Sequence, residues 1–103
     1  MKVFDSFEEE VKATVKGLLN RKWKVDKVEK ENGKVDSVRI HAKCFGIDYY
    51  MWIDIIYTVG GEITWNWNQY IFYDTDLFDC IYRELQKNID FVQNVDCLVD
   101  EYI

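Results

Sequence analysis

The sequence predicts an α+β domain of order α-β-β-β-β-α, a four-stranded antiparallel meander with two helices packed on one face. Three observations carry that expectation. Amphipathic segments lie toward both ends of the chain, glycine-bearing turns divide the middle, and the residues between the turns alternate apolar and polar. At 103 residues, 49% of them hydrophobic, the chain has the length and apolar content of one domain spanning 1–103. No linker, repeat or low-complexity segment divides it.

The first helix is expected over 6–19. Ser6 followed by Glu9 is a capping-box pattern, and Phe7, Val11, Val15, Leu18 and Leu19 recur at helical spacing before Asn20 ends the run. Asn32-Gly33 between two alternating runs is a two-residue hairpin turn. It sets Val25 opposite Ile40, Trp23 opposite Ala42 and Asp26 opposite Arg39, so apolar residues meet on one face and opposite charges on the other. Phe45-Gly46 makes the second turn and pairs Ala42 with Tyr49, Ile40 with Met51 and Val38 with Ile53. The third turn must keep the rows from Ile47 to Val59 and from Ile63 to Ile71 on one face. A three-residue loop, Val59-Gly60-Gly61 with Gly61 left-handed, does so. Asp74, Thr75 and Asp76 cap a second helix with the stripe Phe78, Ile81, Leu85, Ile89 and Val92, and a break is expected near Asn94.

This register places a definite set of residues on the sheet face away from the helices. Its rows read Asp26, Arg39, Trp52, Asn68; then Lys24, His41, Tyr50, Tyr70; then Lys22, Lys43, Asp48, Phe72. Val28, Ser37, Asp54 and Asn66 form the row on the other side. Trp, Tyr and Arg gathered on an uncovered face are the residue types that anchor contacts. Arg39, His41, Tyr50, Trp52, Asn66, Asn68 and Tyr70 are therefore the candidate contact residues of the sheet.

Charge supplies a second candidate. The net charge is −6, which disfavours non-specific adhesion to nucleic acid or anionic lipid. Residues 1–43 carry +3 and residues 44–103 carry −9. Asp79, Glu84, Asp90, Asp96, Asp100 and Glu101 would edge the exposed side of the second helix and its tail, a surface suited to a basic groove.

Catalytic patterns are missing. His41 is the lone histidine, with Lys24 and Tyr50 as its expected cross-strand neighbours and Asp48 nearer Lys43, which is no triad. Cys44, Cys80 and Cys97 match no metal or redox spacing and read as free thiols. No glycine loop has a phosphate-cradling pattern. No segment approaches the ~18 apolar residues of a membrane span, and MKVFDSFEEE has no apolar signal core, so a reducing, cytoplasmic setting is expected.

The expectation is a non-enzymatic, acidic protein-interaction domain without cofactor or metal, of the small-inhibitor type. Phage anti-defence proteins, nucleic-acid mimics and toxin-immunity proteins are the analogous classes. Its partner would be a protein with a basic surface, and an open edge strand would also permit a homodimer. Two alternatives stand beside it. One is single-stranded nucleic-acid binding, with Trp52, Tyr50 and Tyr70 stacking bases and Lys22, Lys24, Arg39 and Lys43 holding phosphates. The other is a small-ligand pocket between sheet and helices lined by Tyr49, Trp65, Trp67 and Gln69.

Overall fold

A computed structural model describes residues 5–68 and 76–103. The elements run α1 (Phe7–Leu19), β1 (Lys24–Glu31), β2 (Lys34–Cys44), β3 (Ile47–Tyr57), β4 (Ile63–Trp67), α2 (Asp76–Lys87) and α3 (Ile89–Asp100). The strands form one antiparallel sheet in the order β1-β2-β3-β4, a meander with the helices on one side.

Turn chemistry explains the hairpins. Asn32 and Gly33 have φ of 53° and 79°, and Phe45 and Gly46 have 52° and 77°. Two successive positive φ values give the mirror-image turn whose twist matches the strands. Gly61 is left-handed at φ 86°. Around it Thr58 N–H donates to the Glu62 carbonyl at 2.9 Å and Gly61 N–H to the Thr58 carbonyl at 3.1 Å, closing the three-residue loop. The β2–β3 and β3–β4 registers are those the sequence predicts along their whole described length.

The β1–β2 register departs from expectation. Val25 faces Ile40, but Lys27 rather than Asp26 faces Arg39, and Val28 faces Val38. Asp26 is the extra residue of a β-bulge, which turns two successive side chains outward and shifts all that follows by one. Val28, expected on the outer face, instead packs half-buried against the core, and Glu29 takes its place opposite Ser37. A second irregularity between Glu29 and Lys30 restores the original register at Lys30–Val35 and Glu31–Lys34. The first bulge's trace in the sequence is that Val25 and Val28 stand three apart, which strict alternation reads as an outward valine.

The core lies between sheet and helices. Val38, Ile40, Tyr49, Ile53, Leu18, Ile81, Leu85 and Val99 are almost wholly shielded from solvent. Ser6 caps α1 by accepting from Glu9 N–H at 3.2 Å, and Asn20 closes it. On α1 only Thr14 and Leu18 are buried, whereas Val11, Val15 and Leu19 are half-buried and Phe7 is exposed. At Gly17, α1 lies against the second turn, and a Cβ there would stand 2.6 Å from the Cys44 sulfur. Gly17→Val is therefore expected to cost about 2 kcal/mol through overpacking, read as a lower urea midpoint at unchanged slope. An unchanged midpoint would show that the helix can back away freely.

The C-terminal helical region breaks at Asn88, six residues before the expected point. The Asn88 carboxamide oxygen accepts from Phe91 N–H at 2.9 Å and caps α3. Asn94 lies inside α3. The restart rotates the buried stripe to Phe91, Val95 and Val99 and leaves Ile89 72% exposed, although the sequence places Ile89 in the stripe.

Among the described residues Tyr49 is the largest fully buried side chain. Burial raises its hydroxyl above the ordinary pKa of 10.0, with Cys44 and the Glu10 carboxylate adding to the rise and a hydrogen bond with Thr14 opposing it. The folded-state pKa is thus above the unfolded one. Its contribution is complete below about pH 10 and is lost as the pH climbs through the raised value. Unfolding free energy measured from pH 8 upward should fall more steeply for the parent chain than for Tyr49→Phe above about pH 10. Parallel curves would contradict this.

Candidate functional site

The outer face of the sheet, opposite the helices, carries an ordered ladder of side chains. Arg39 on β2 is its centre. Its Nε and Nη2 donate to the two carboxylate oxygens of Asp26 at 3.0 and 2.9 Å. The β1 bulge leaves Asp26 beside Arg39, as alternation predicts, and turns Lys27 outward next to it. The guanidinium carbon also lies 4.3 Å from the Tyr50 ring centre and 5.8 Å from that of Trp52. Lys27 Nζ stands 5.6 Å from the Trp52 ring. The His41 ring stacks on Tyr50 with centroids 4.8 Å apart. The order is therefore Lys27, Trp52, Arg39, Tyr50, with the His41 ring stacked beyond, and each cation–ring contact contributes about 0.5–1 kcal/mol at such exposure.

His41 ends the ladder differently from expectation. Its Nε2 lies 2.8 Å from Asp48 Oδ1, so a proton on Nε2 faces the carboxylate. In the strand register Asp48 faces Lys43, as expected, while its carboxylate reaches diagonally to His41. A His–Asp pair orients an imidazole, but hydrolysis also requires a nucleophile within bonding reach. Among the described residues the side chain of His41 hydrogen-bonds only Asp48.

The far side of the face is polar. Asn68 Nδ2 donates to Asp54 Oδ1 at 3.1 Å, and Asn68 N–H donates to the Trp52 carbonyl at 2.9 Å. Asn66 lies opposite Asp54 and is exposed. The face thus unites Arg39, His41, Tyr50, Trp52, Asn66 and Asn68. Tyr70, Phe72, Gln69, Ile71, Asp74 and Thr75 lie outside the described residues. Lys27, Asp26, Asp48 and Asp54 belong to the surface and were missed as candidate contact residues. For Lys27 only the bulge reveals it. For Asp26, Asp48 and Asp54 the register already placed them on this face.

The acidic candidates do not share one helix. Asp79 and Glu84 sit on α2, where Arg83 meets Asp79 at 2.8 Å and Lys87 meets Glu84 at 3.3 Å. Asp90, Asp96 and Asp100 sit on α3, and Glu101 is its C-cap. Asp96 accepts from Trp65 Nε1 at 2.8 Å, so it holds β4 as well as facing solvent. α3 with its cap carries four acids and no Lys or Arg.

The space between sheet and helices is occupied by side chains. Tyr49 packs on Phe78, Trp65 on Trp67, and Trp67 on Phe91. A groove of about 880 Å³ lies instead between α1 and the α2–α3 pair. Among the described residues, no three of His, Cys, Asp and Glu converge as a metal site requires, and no helix is long and apolar enough to cross a membrane. No protein-family model, curated protein or solved structure matches this chain.

Proposed function

We propose that this chain is a non-enzymatic protein-binding domain that engages and blocks a partner through the outer face of its sheet. The observation that supports it is the Lys27–Trp52–Arg39–Tyr50–His41 ladder, an uncovered row of the residue types that anchor interfaces, held in place before any partner arrives. Side chains already ordered lose less entropy on binding. The strands, up to eleven residues long, make a platform of roughly 600 Å² at ~4.8 Å spacing and ~3.3 Å per residue. That approaches the ~800 Å² per partner of a standard interface.

The charge of −6 favours approach to a basic partner. The three cysteines are all unpaired, which fits a reducing, cytoplasmic setting. Base stacking is less well supported, because Tyr50 and Trp52 already carry Arg39, His41 and Lys27 against their rings.

The test is capture from source-cell lysate on the immobilised chain, with and without nuclease, using the parent and Trp52→Ala. The expected result is one stoichiometric protein that survives nuclease and is lost with Trp52→Ala. Material that vanishes with nuclease would make nucleic acid the ligand. Self-capture alone, with a dimer in sedimentation, would point to pairing of two copies along an edge strand.

A further inference from the structure

The groove between α1 and α2–α3 lies away from the sheet ladder, and the proposed sheet interface does not use it. Its floor is apolar. Val11, Val15 and Leu19 come from α1 and Phe91 from α3, with exposed Phe7 beside them. The α1 side chains are only half-buried, so the amphipathic face of this helix is incompletely covered.

Its rim gathers four cations against three acids. Lys12 and Lys16 are one turn apart on α1, and Arg83 and Lys87 are one turn apart on α2. These four are all the Lys and Arg that the three helices contain, and all four line the groove. Arg83 and Lys87 are also the only basic residues after position 43. Glu8, Glu84 and Asp90 line it too, with Glu84 held by Lys87. Lys12 and Lys16 make no ion pair among the described residues. The Arg83–Asp79 and Lys87–Glu84 pairs are solvent-exposed, with cation side chains 69% and 71% accessible, so they exchange readily for a partner's carboxylates.

We propose that this groove docks an amphipathic helix of a partner protein, with an apolar stripe on the floor and acidic residues flanking the stripe toward Lys12, Lys16, Arg83 and Lys87. The thirteen residues of α1 run about 20 Å, which a helix of roughly four turns matches. A third helix laid between two others buries the half-covered valines and leucine and adds ion pairs along both walls.

A displayed library of 18-residue helical peptides, selected on the intact chain, tests this. The expected winners carry apolar residues at i, i+3, i+4 and i+7 flanked by Glu or Asp. A synthetic winner should bind at least tenfold more weakly to Lys12→Glu/Lys16→Glu, which alters only exposed side chains, and equally well to Trp52→Ala. That last arm separates this site from the sheet face. Winners with basic flanks, or affinity unchanged in Lys12→Glu/Lys16→Glu, would overturn the proposal. So would dodecanoate filling the groove, seen as shifts of the Val11 and Val15 methyl signals, when no peptide is selected.

Discussion

Phe91→Ala is expected to lower stability by about 3–5 kcal/mol, the usual cost of emptying a buried aromatic site. Phe91 is 3% exposed and joins three parts of the fold. It lies parallel to Trp67 of β4, with centroids 6.0 Å apart, and meets the edge of Trp23 at 5.4 Å. Trp23 precedes β1 and is fixed by its Nε1–H donating to the Leu18 carbonyl at 3.0 Å. One ring on α3 therefore bridges β4 and the segment that leads into β1. A domain of this length has about 5–15 kcal/mol in total. At about 4–8 °C per kcal/mol, the melting temperature should fall by well over 10 °C. Phe91→Leu, which keeps most of the volume, should cost about 1.5 kcal/mol or less. Ile89→Ala is the control, since Ile89 is solvent-exposed and its truncation should stay within about 0.5 kcal/mol. Equal losses at 89 and 91 would mean that α3 does not present the face described.

The second large effect concerns binding. Trp52→Ala should cost at least about 2 kcal/mol of affinity for the captured partner, roughly thirtyfold, as a central aromatic anchor does. Charge reversal at Asp90, Asp100 and Glu101 should change affinity only a few-fold and act through the association rate. Asp96 is left out of that set because its carboxylate holds Trp65. Salt dependence separates the two surfaces as well. The sheet face balances Lys24, Lys27, Arg39 and Lys43 against Asp26, Glu29, Asp48 and Asp54. A complex built on it should weaken little between low and physiological salt, whereas one built on α3 should weaken steeply. Calorimetric titration of parent and variants at two salt concentrations reads both quantities. Full affinity in Trp52→Ala together with loss in the triple reversal would move the interface to α3.

Local chemistry determined most of the sheet. The three turns were legible because a left-handed residue has few suppliers, and Asn-Gly, Phe-Gly and Gly-Gly supply it. Once turn length is known, alternation leaves one register that buries a whole row, and β2–β3 and β3–β4 adopt it. The start of α1 was legible for the same reason, because Ser6 acts within three residues of itself.

What the sequence did not announce depends on partners far along the chain. The bulge at Asp26 brings Val28 into the core and turns Lys27 out toward Trp52, while Asp26 keeps the Arg39 partner that alternation predicts. Asn88 and Asn94 are equally good caps in isolation. The break falls at Asn88 because restarting there turns Phe91, rather than Ile89, toward Trp23 and Trp67. His41 and Asp48 pair diagonally across β2 and β3, where side-chain reach decides and strand register does not. The cationic groove joins residues about seventy positions apart, Lys12 and Lys16 with Arg83 and Lys87, and packing of α1 beside α2 assembles it. The sequence by itself thus determined the elements, two of the three strand registers and the composition of the open face, because turns, caps and alternation act over a few residues. Tertiary structure decided which side chains on that face meet, where the last helix breaks and which charges share a groove, because each is a contest between distant contacts that no local pattern records.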